Sequence, residues 1–172
     1  MKKRLYFKLF IGYLLFGIFG FILVSVVTST VQLNYLQNHT AADLYREATV
    51  VAKRYAADYY NHNLTPEDMQ EHIETLDDYL SAQIWLVDKN GNVLLNSRKP
   101  ADMEHPESIE GFNVTDFGNK YFRIGNFYHY FSEDTLSVFS PITLNYQVKG
   151  YIVIHKPLTE IYTFNNHLLN MS

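Results

Sequence analysis

The chain has no cysteine at all, which excludes a disulfide framework, a cysteine-based zinc or iron–sulfur site and a thiol nucleophile. Glycine and proline are sparse, at 8 and 5 of 172 residues, so collagen-like and low-complexity architectures are excluded too. Charge is missing from one long stretch, and there is one tryptophan. No Gly-x-Ser-x-Gly elbow, His-Glu-x-x-His helix or phosphate-binding glycine loop is present. What is there is apolar: 47% hydrophobic and 16% aromatic residues against 19% charged, enough to bury a core. A formal net charge of −4 argues against nucleic acid as a partner.

That average conceals a split. Lys2, Lys3, Arg4 and Lys8 carry four positive charges, and residues 9–31 then run without a charge. Such a run, as a helix, covers about 34 Å, enough for a hydrocarbon core of about 30 Å. It exceeds the 7–15 apolar residues usual in a signal peptide, and Ser25–Thr30 makes a poor cleavage site. The expectation is an uncleaved transmembrane helix over 9–31, with residues 1–8 cytoplasmic because basic flanks stay inside. The remainder, with all 18 acids and a balance of −8, is then extracytoplasmic.

Gln32–Tyr60 lacks both Pro and Gly, and Leu33, Leu36, Thr40, Leu44, Ala48, Val51, Tyr55 and Tyr59 recur in steps of three or four. This predicts a continuing helix with one apolar stripe, suited to packing on a core and to pairing with a second subunit. A second helix is predicted from Thr65, a suitable N-cap followed by Pro66 and by Asp68 three places on; Met69, Ile73, Leu76 and Leu80 form its buried stripe. Ala82–Asp88 and Val93–Asn96 flank Asn90-Gly91, which predicts a hairpin with a type I′ turn. A polar loop over Arg98–Gly118 precedes three more predicted strands, Tyr121–Phe131, Leu136–Ile142 and Val148–His155, and a helix from Leu158. The fold class is α+β: a transmembrane helix, a long and a second helix on a five-stranded antiparallel sheet, and a C-terminal helix.

The run IWLVDKNGNVLLNS, with LSVFSPI at 136–142 and GYIVIHKPLTEIY at 150–162, resembles the extracytoplasmic PAS-like sensor domains, of the single-Cache type, of bacterial sensor histidine kinases. The resemblance implies a sensor domain over 32–157, with 158–172 leading toward a second span. It also implies a small molecule or ion bound on the sheet's concave face, and helix movement carried across the membrane to a kinase in a longer protein. Chemoreceptors and cyclic-dinucleotide enzymes carry similar input domains. A membrane-tethered module recognising a protein or cell-wall component is the alternative class.

Candidate binding residues follow from the predicted strands. Arg123 lies in an otherwise apolar strand, where a guanidinium needs an internal acid, solvent or an anionic ligand. Tyr128 and Tyr130 share a face by alternation, as do Tyr151 and His155, giving apolar walls with polar tips. His129 and His155 read more readily as core or rim residues than as metal ligands. Asp88-Lys-Asn-Gly-Asn faintly resembles a calcium loop, but the glycine falls too early and Lys99 stands where a bidentate Glu is needed. Residues 67–116 hold 12 acids against three bases, and Glu67, Glu71, Glu74 and Asp78 fall along one helix face. That face is either solvated or binds divalent cations. No cofactor is expected.

Overall fold

The computed structural model describes residues 2–100, 105–117 and 120–169, with side chains described for 6–100, 105–115 and 120–163. The chain divides into two units, Met1–Asn38 and a compact unit, His39–Ser172. Helix α1 covers Lys2–Val51 and includes one stretch long and apolar enough to cross a membrane. Within it, large side chains such as Phe10, Phe16, Phe19, Phe21 and Ile22 are exposed, as a lipid-facing helix requires.

In the compact unit α1 turns inward. Ala41, Leu44, Ala48 and Val51 are buried at helical spacing. The predicted stripe should continue to Tyr55 and Tyr59, but a π-helical turn at Ala52–Ala56 intervenes before the short α2, Ala57–Tyr60. Its wider turn keeps Ala52 and Ala56, four residues apart, both buried, while Tyr55 and Tyr59 are only half-buried. Helix α3, Pro66–Leu80, starts on the expected capping box: Asp68 N–H donates to Thr65 Oγ1 (3.1 Å) and Thr65 N–H donates to Asp68 Oδ2 (3.4 Å). It ends on Ser81 in the left-handed region (φ 49°).

Six strands follow, one more than the sequence predicts: β1 Gln83–Asp88, β2 Asn92–Asn96, β3 Glu107–Ser108, β4 Phe122–Gly125, β5 Thr135–Leu144 and β6 Gln147–Pro157. The extra strand is a two-residue polar edge, too short to leave a period in the sequence. All neighbours pair antiparallel in the order β3-β2-β1-β6-β5-β4, and α4 spans Leu158–Leu169. The turn at Lys89–Gly91 is not type I′, because only Gly91 has positive φ (88°). It is a three-residue loop closed by Gly91 N–H donating to Asp88 O (3.2 Å), the type I turn plus glycine arrangement. The Asp88 carboxylate accepts from Asn90 N–H (2.7 Å), Asn92 N–H (2.9 Å) and Asn92 Nδ2 (2.8 Å), so it organises this turn. Asn145-Tyr146, with φ 50° and 61°, joins β5 and β6 as a two-residue hairpin with both residues left-handed.

Both faces of the central strands are covered. One carries Ile84, Leu86, Leu136, Val138, Ile152 and Ile154, all buried; the π turn and α3 with Met69 and Ile73 pack there, and α1 reaches it through Thr49, whose hydroxyl lies 3.2 Å from that of Ser140. The other carries Trp85, Val87, Val93, Phe139 and Val153, covered by Ile109 and Phe127 from the connections around β3 and after β4. At Gly150, β6 lies close to β1 and α2: a Cβ would lie 2.3 Å from Val87 O and 2.8 Å from Tyr60 Oη. Because backbone cannot give way cheaply, Gly150→Ala is expected to lower stability by about 2 kcal/mol or more, measured by chemical denaturation of the full chain in detergent micelles; unchanged stability would refute this packing.

Candidate functional site

The second face is where chemistry collects. The register places Arg123 opposite Ser137, Ser137 opposite His155 and His155 opposite Gln83, one row across four strands. Two residues along β6 and β1, Trp85 pairs with Val153. Ser137 Oγ lies 2.8 Å from His155 Nδ1, and both residues are buried. The imidazole is boxed by rings, with centroids at 4.4 Å to Trp85, 4.4 Å to Phe127 and 4.9 Å to Phe131. Tyr130 closes on Trp85 at 4.5 Å, edge to face. Trp85 is 0% exposed, His155 1% and Phe127 2%. Yet among the described residues Trp85 Nε1 and His155 Nε2 have no hydrogen-bond partner. Buried polar nitrogens left so cost about 1–3 kcal/mol each.

The cover over the box is under strain and tied down. Phe127, Tyr128 and His129 have φ of 43°, 53° and 64°, three consecutive left-handed residues without a glycine. The predicted strand Tyr121–Phe131 is therefore corrected to Phe122–Gly125, and alternation does not govern Tyr128, His129 and Tyr130, which lie in a turn. Tyr128 Oη accepts from Asn113 N–H (3.2 Å) and donates to Asn113 O (3.1 Å). Tyr130 Oη accepts from Lys99 Nζ (2.7 Å), which also donates to Glu107 Oε2 (2.8 Å); Tyr130 Oη lies 3.3 Å from that carboxylate. These hydrogen bonds to Glu107 and Tyr130 hold the Lys99 ammonium above its ordinary pKa.

The five predicted binding residues do not converge on one point. His155 is at the centre of the box and Tyr130 at its edge. Tyr151 shares the His155 face but packs near Phe112 (6.2 Å), and burial raises its pKa. Arg123 is exposed, its guanidinium 5.2 Å over the Tyr128 ring, so it stacks on the outside of the cover. Glu67, Glu71, Glu74 and Asp78 all lie exposed on α3; Gln70 Nε2 donates to Glu74 Oε1 (2.7 Å). Among the described residues no group of three or more His, Asp or Glu is placed to hold a metal ion. Nearby, Asp77 takes a bidentate pair from Arg98 Nε and Nη2 (3.0 Å each) and a bond from Ser97 Oγ (2.6 Å), joining α3 to the end of β2. Sequence reasoning passed over Trp85, Phe127, Phe131 and Ser137; the lone tryptophan in a strand facing His155 was the available signal.

The fold of this chain, a six-stranded antiparallel sheet with helices on one face and a loop-built cover on the other, is similar to that of sensor domains of known structure. The V. cholerae histidine kinase DctB sensor domain superposes with a TM-score of 0.52 at 16% identity, over 77% of this chain and 55% of that one. The extracellular domain of vpHK1S-Z8, assigned as a histidine kinase, gives 0.51 at 12% identity, over 77% and 57%. The ligand-binding domain of the Campylobacter jejuni chemoreceptor Tlp3, solved with 4-methylisoleucine, gives 0.48 at 17%, over 75% and 57%. This chain thus spans little more than half the length of these domains. No family model matches the sequence, and no curated protein does.

Burial, reinforced by the Arg98 charge, pushes His155 from 6.5 down to about 3. Between those values the unfolded chain binds a proton that the folded chain refuses. Stability therefore rises with pH through this window and is lost as pH falls below about 6.5, by at most about 1.4 kcal/mol per unit from this group. Melting temperatures of the full chain between pH 7 and 4.5 should fall more steeply than those of His155→Gln; parallel profiles would rule out a neutral buried imidazole.

Proposed function

We propose that this chain is the signal-sensing part of a membrane-bound bacterial sensor histidine kinase, with residues 1–8 in the cytoplasm, 9–31 in the bilayer and 32–157 outside. A small molecule enters between the sheet and the cover formed by Ile109 and residues 127–131, and is held at Trp85 and His155. The observation that carries this reading is the pair of unpartnered nitrogens, fully buried in an aromatic box beneath a strained cover. The four early positive charges support the orientation, and the Cache-type fold supports the role. An exposed ion-binding face at Glu67, Glu71, Glu74 and Asp78 lacks such an observation.

Transmission uses the end of β6. Next to His155 on the strand, Lys156 donates from Nζ to Leu80 O at the C-terminal end of α3, and Pro157 leads into α4. A ligand that moves His155 shifts this junction, and with it α4, in the segment 158–172 that leads toward a second span. Pairing of two chains through Gln32–Tyr60 belongs to the same proposal.

A panel of small metabolites tested by thermal shift on the full chain in micelles should yield at least one that raises the melting temperature by several degrees. The shift should vanish in Trp85→Phe; a panel without effect, or a shift that survives that substitution, overturns the reading. Pairing has its own check in a chain free of cysteine: Val50→Cys, at an exposed helix position, should form a disulfide-linked dimer on oxidation in membranes. Persistent monomers would remove pairing from the proposal.

A further inference from the structure

The box also restricts what can enter it, an inference that rests on the sensing site above. Its first restriction comes from proton placement. Ser137 has no second hydrogen-bond partner among the described residues. If His155 Nδ1 carried the proton, the Ser137 hydroxyl proton would be buried without an acceptor. Ser137 therefore donates to Nδ1, and the imidazole proton sits on Nε2. Trp85 Nε1 is a donor in every state. Two N–H donors, on rings whose centroids are 4.4 Å apart, thus lack an acceptor, and the ring faces around them accept only weakly.

The second restriction is charge. Trp85, Phe127, Tyr130, Phe131 and a neutral His155 carry none. Of the described cations around the box, Lys99 pairs with Glu107 at the rim and Arg98 with Asp77 behind β2, Lys156 lies on the opposite face of β6 and donates to Leu80 O, and Arg123 stacks on Tyr128 outside the cover. Among the described residues, a ligand carboxylate would find no cation lining the box, and a ligand ammonium no free carboxylate there. A buried unpaired charge is far costlier than a buried neutral acceptor. An uncharged carbonyl oxygen has two lone pairs for two donors.

We propose that the site takes an uncharged carbonyl compound with a flat apolar body, its C=O oxygen accepting from Trp85 Nε1 and His155 Nε2 and its body replacing Phe131 and Tyr130 against the box. Both of these lid rings are half-buried and follow directly on the strained residues 127–129, so they are the walls able to swing out. Charged amino acids and carboxylates are excluded by the same geometry.

The chain's single tryptophan makes the test direct, because the indole N–H gives one ¹⁵N–¹H resonance, that of Trp85. Four probes share a phenyl ring: acetophenone (carbonyl, uncharged), benzoate (anion), L-phenylalanine (zwitterion) and ethylbenzene (no acceptor). Each is titrated into the full-length chain in micelles. Acetophenone should shift the resonance downfield and saturably, ethylbenzene, benzoate and L-phenylalanine should not, and His155→Phe should weaken acetophenone about tenfold. Saturation by benzoate or L-phenylalanine with acetophenone silent overturns the ligand class and leaves the sensing site standing. An acetophenone response matched by ethylbenzene overturns the hydrogen-bonding assignment. Silence to all four overturns the class as well, and the metabolite panel decides whether the site falls with it. The wild-type series stands without the variant, should His155→Phe fail to fold.

Discussion

Everything in the compact unit depends on β6 being buried on both faces at once. Ile152 and Ile154 face the helices while Val153 and His155 face the cover, and all four are within 1% of complete burial. A strand clad on two sides reads as a nearly continuous apolar run, GYIVIH, and this one is paired with β1 on one side and β5 on the other. The helices on one side are regular, because α1 and α3 present periodic stripes. The cover on the other side is irregular and needs left-handed residues and side-chain ties to stay in place. A polar residue on that second face, at the strand's last turnings toward α4, therefore sits between a rigid layer and a deformable one.

Much of this was readable from the residues. The apolar run over 9–31, the Thr65 capping box, the order of the elements and the positions of β1, β2, β5 and β6 all follow from period, caps and turn chemistry. The end of the predicted strand Tyr121–Phe131 did not, because nothing in Phe127-Tyr128-His129 advertises positive φ; these residues are held there by packing, not by propensity. The third strand is two polar residues whose pairing with β2 is imposed by the connection around it. Asn90-Gly91 announced a turn but not its length, since Lys89 joins it.

The site was less legible, for a reason of register. From the two-residue turn at Asn145-Tyr146, simple pairing would set Ser137 opposite Ile154. A register shift between Ile142 and Thr143 moves the partner to His155. One inserted residue exchanges the faces along the remaining strand, so the Ser137–His155 contact cannot be read from the turn. Phe127 and Phe131 lie about forty residues from Trp85, and no local pattern joins them. Alternation does not govern the tyrosines chosen by it: Tyr130 arrives at Trp85 by a turn.

The tie among Lys99, Glu107 and Tyr130 stands in water, with the two charged side chains 53% and 48% exposed. Dissolved ions weaken such an exposed pair, whereas the aromatic interior beneath it is indifferent to them. The two parts of the closed site thus answer to different properties of the medium. Brackish surroundings would therefore loosen the rim while leaving the packing of the aromatic chamber as it is.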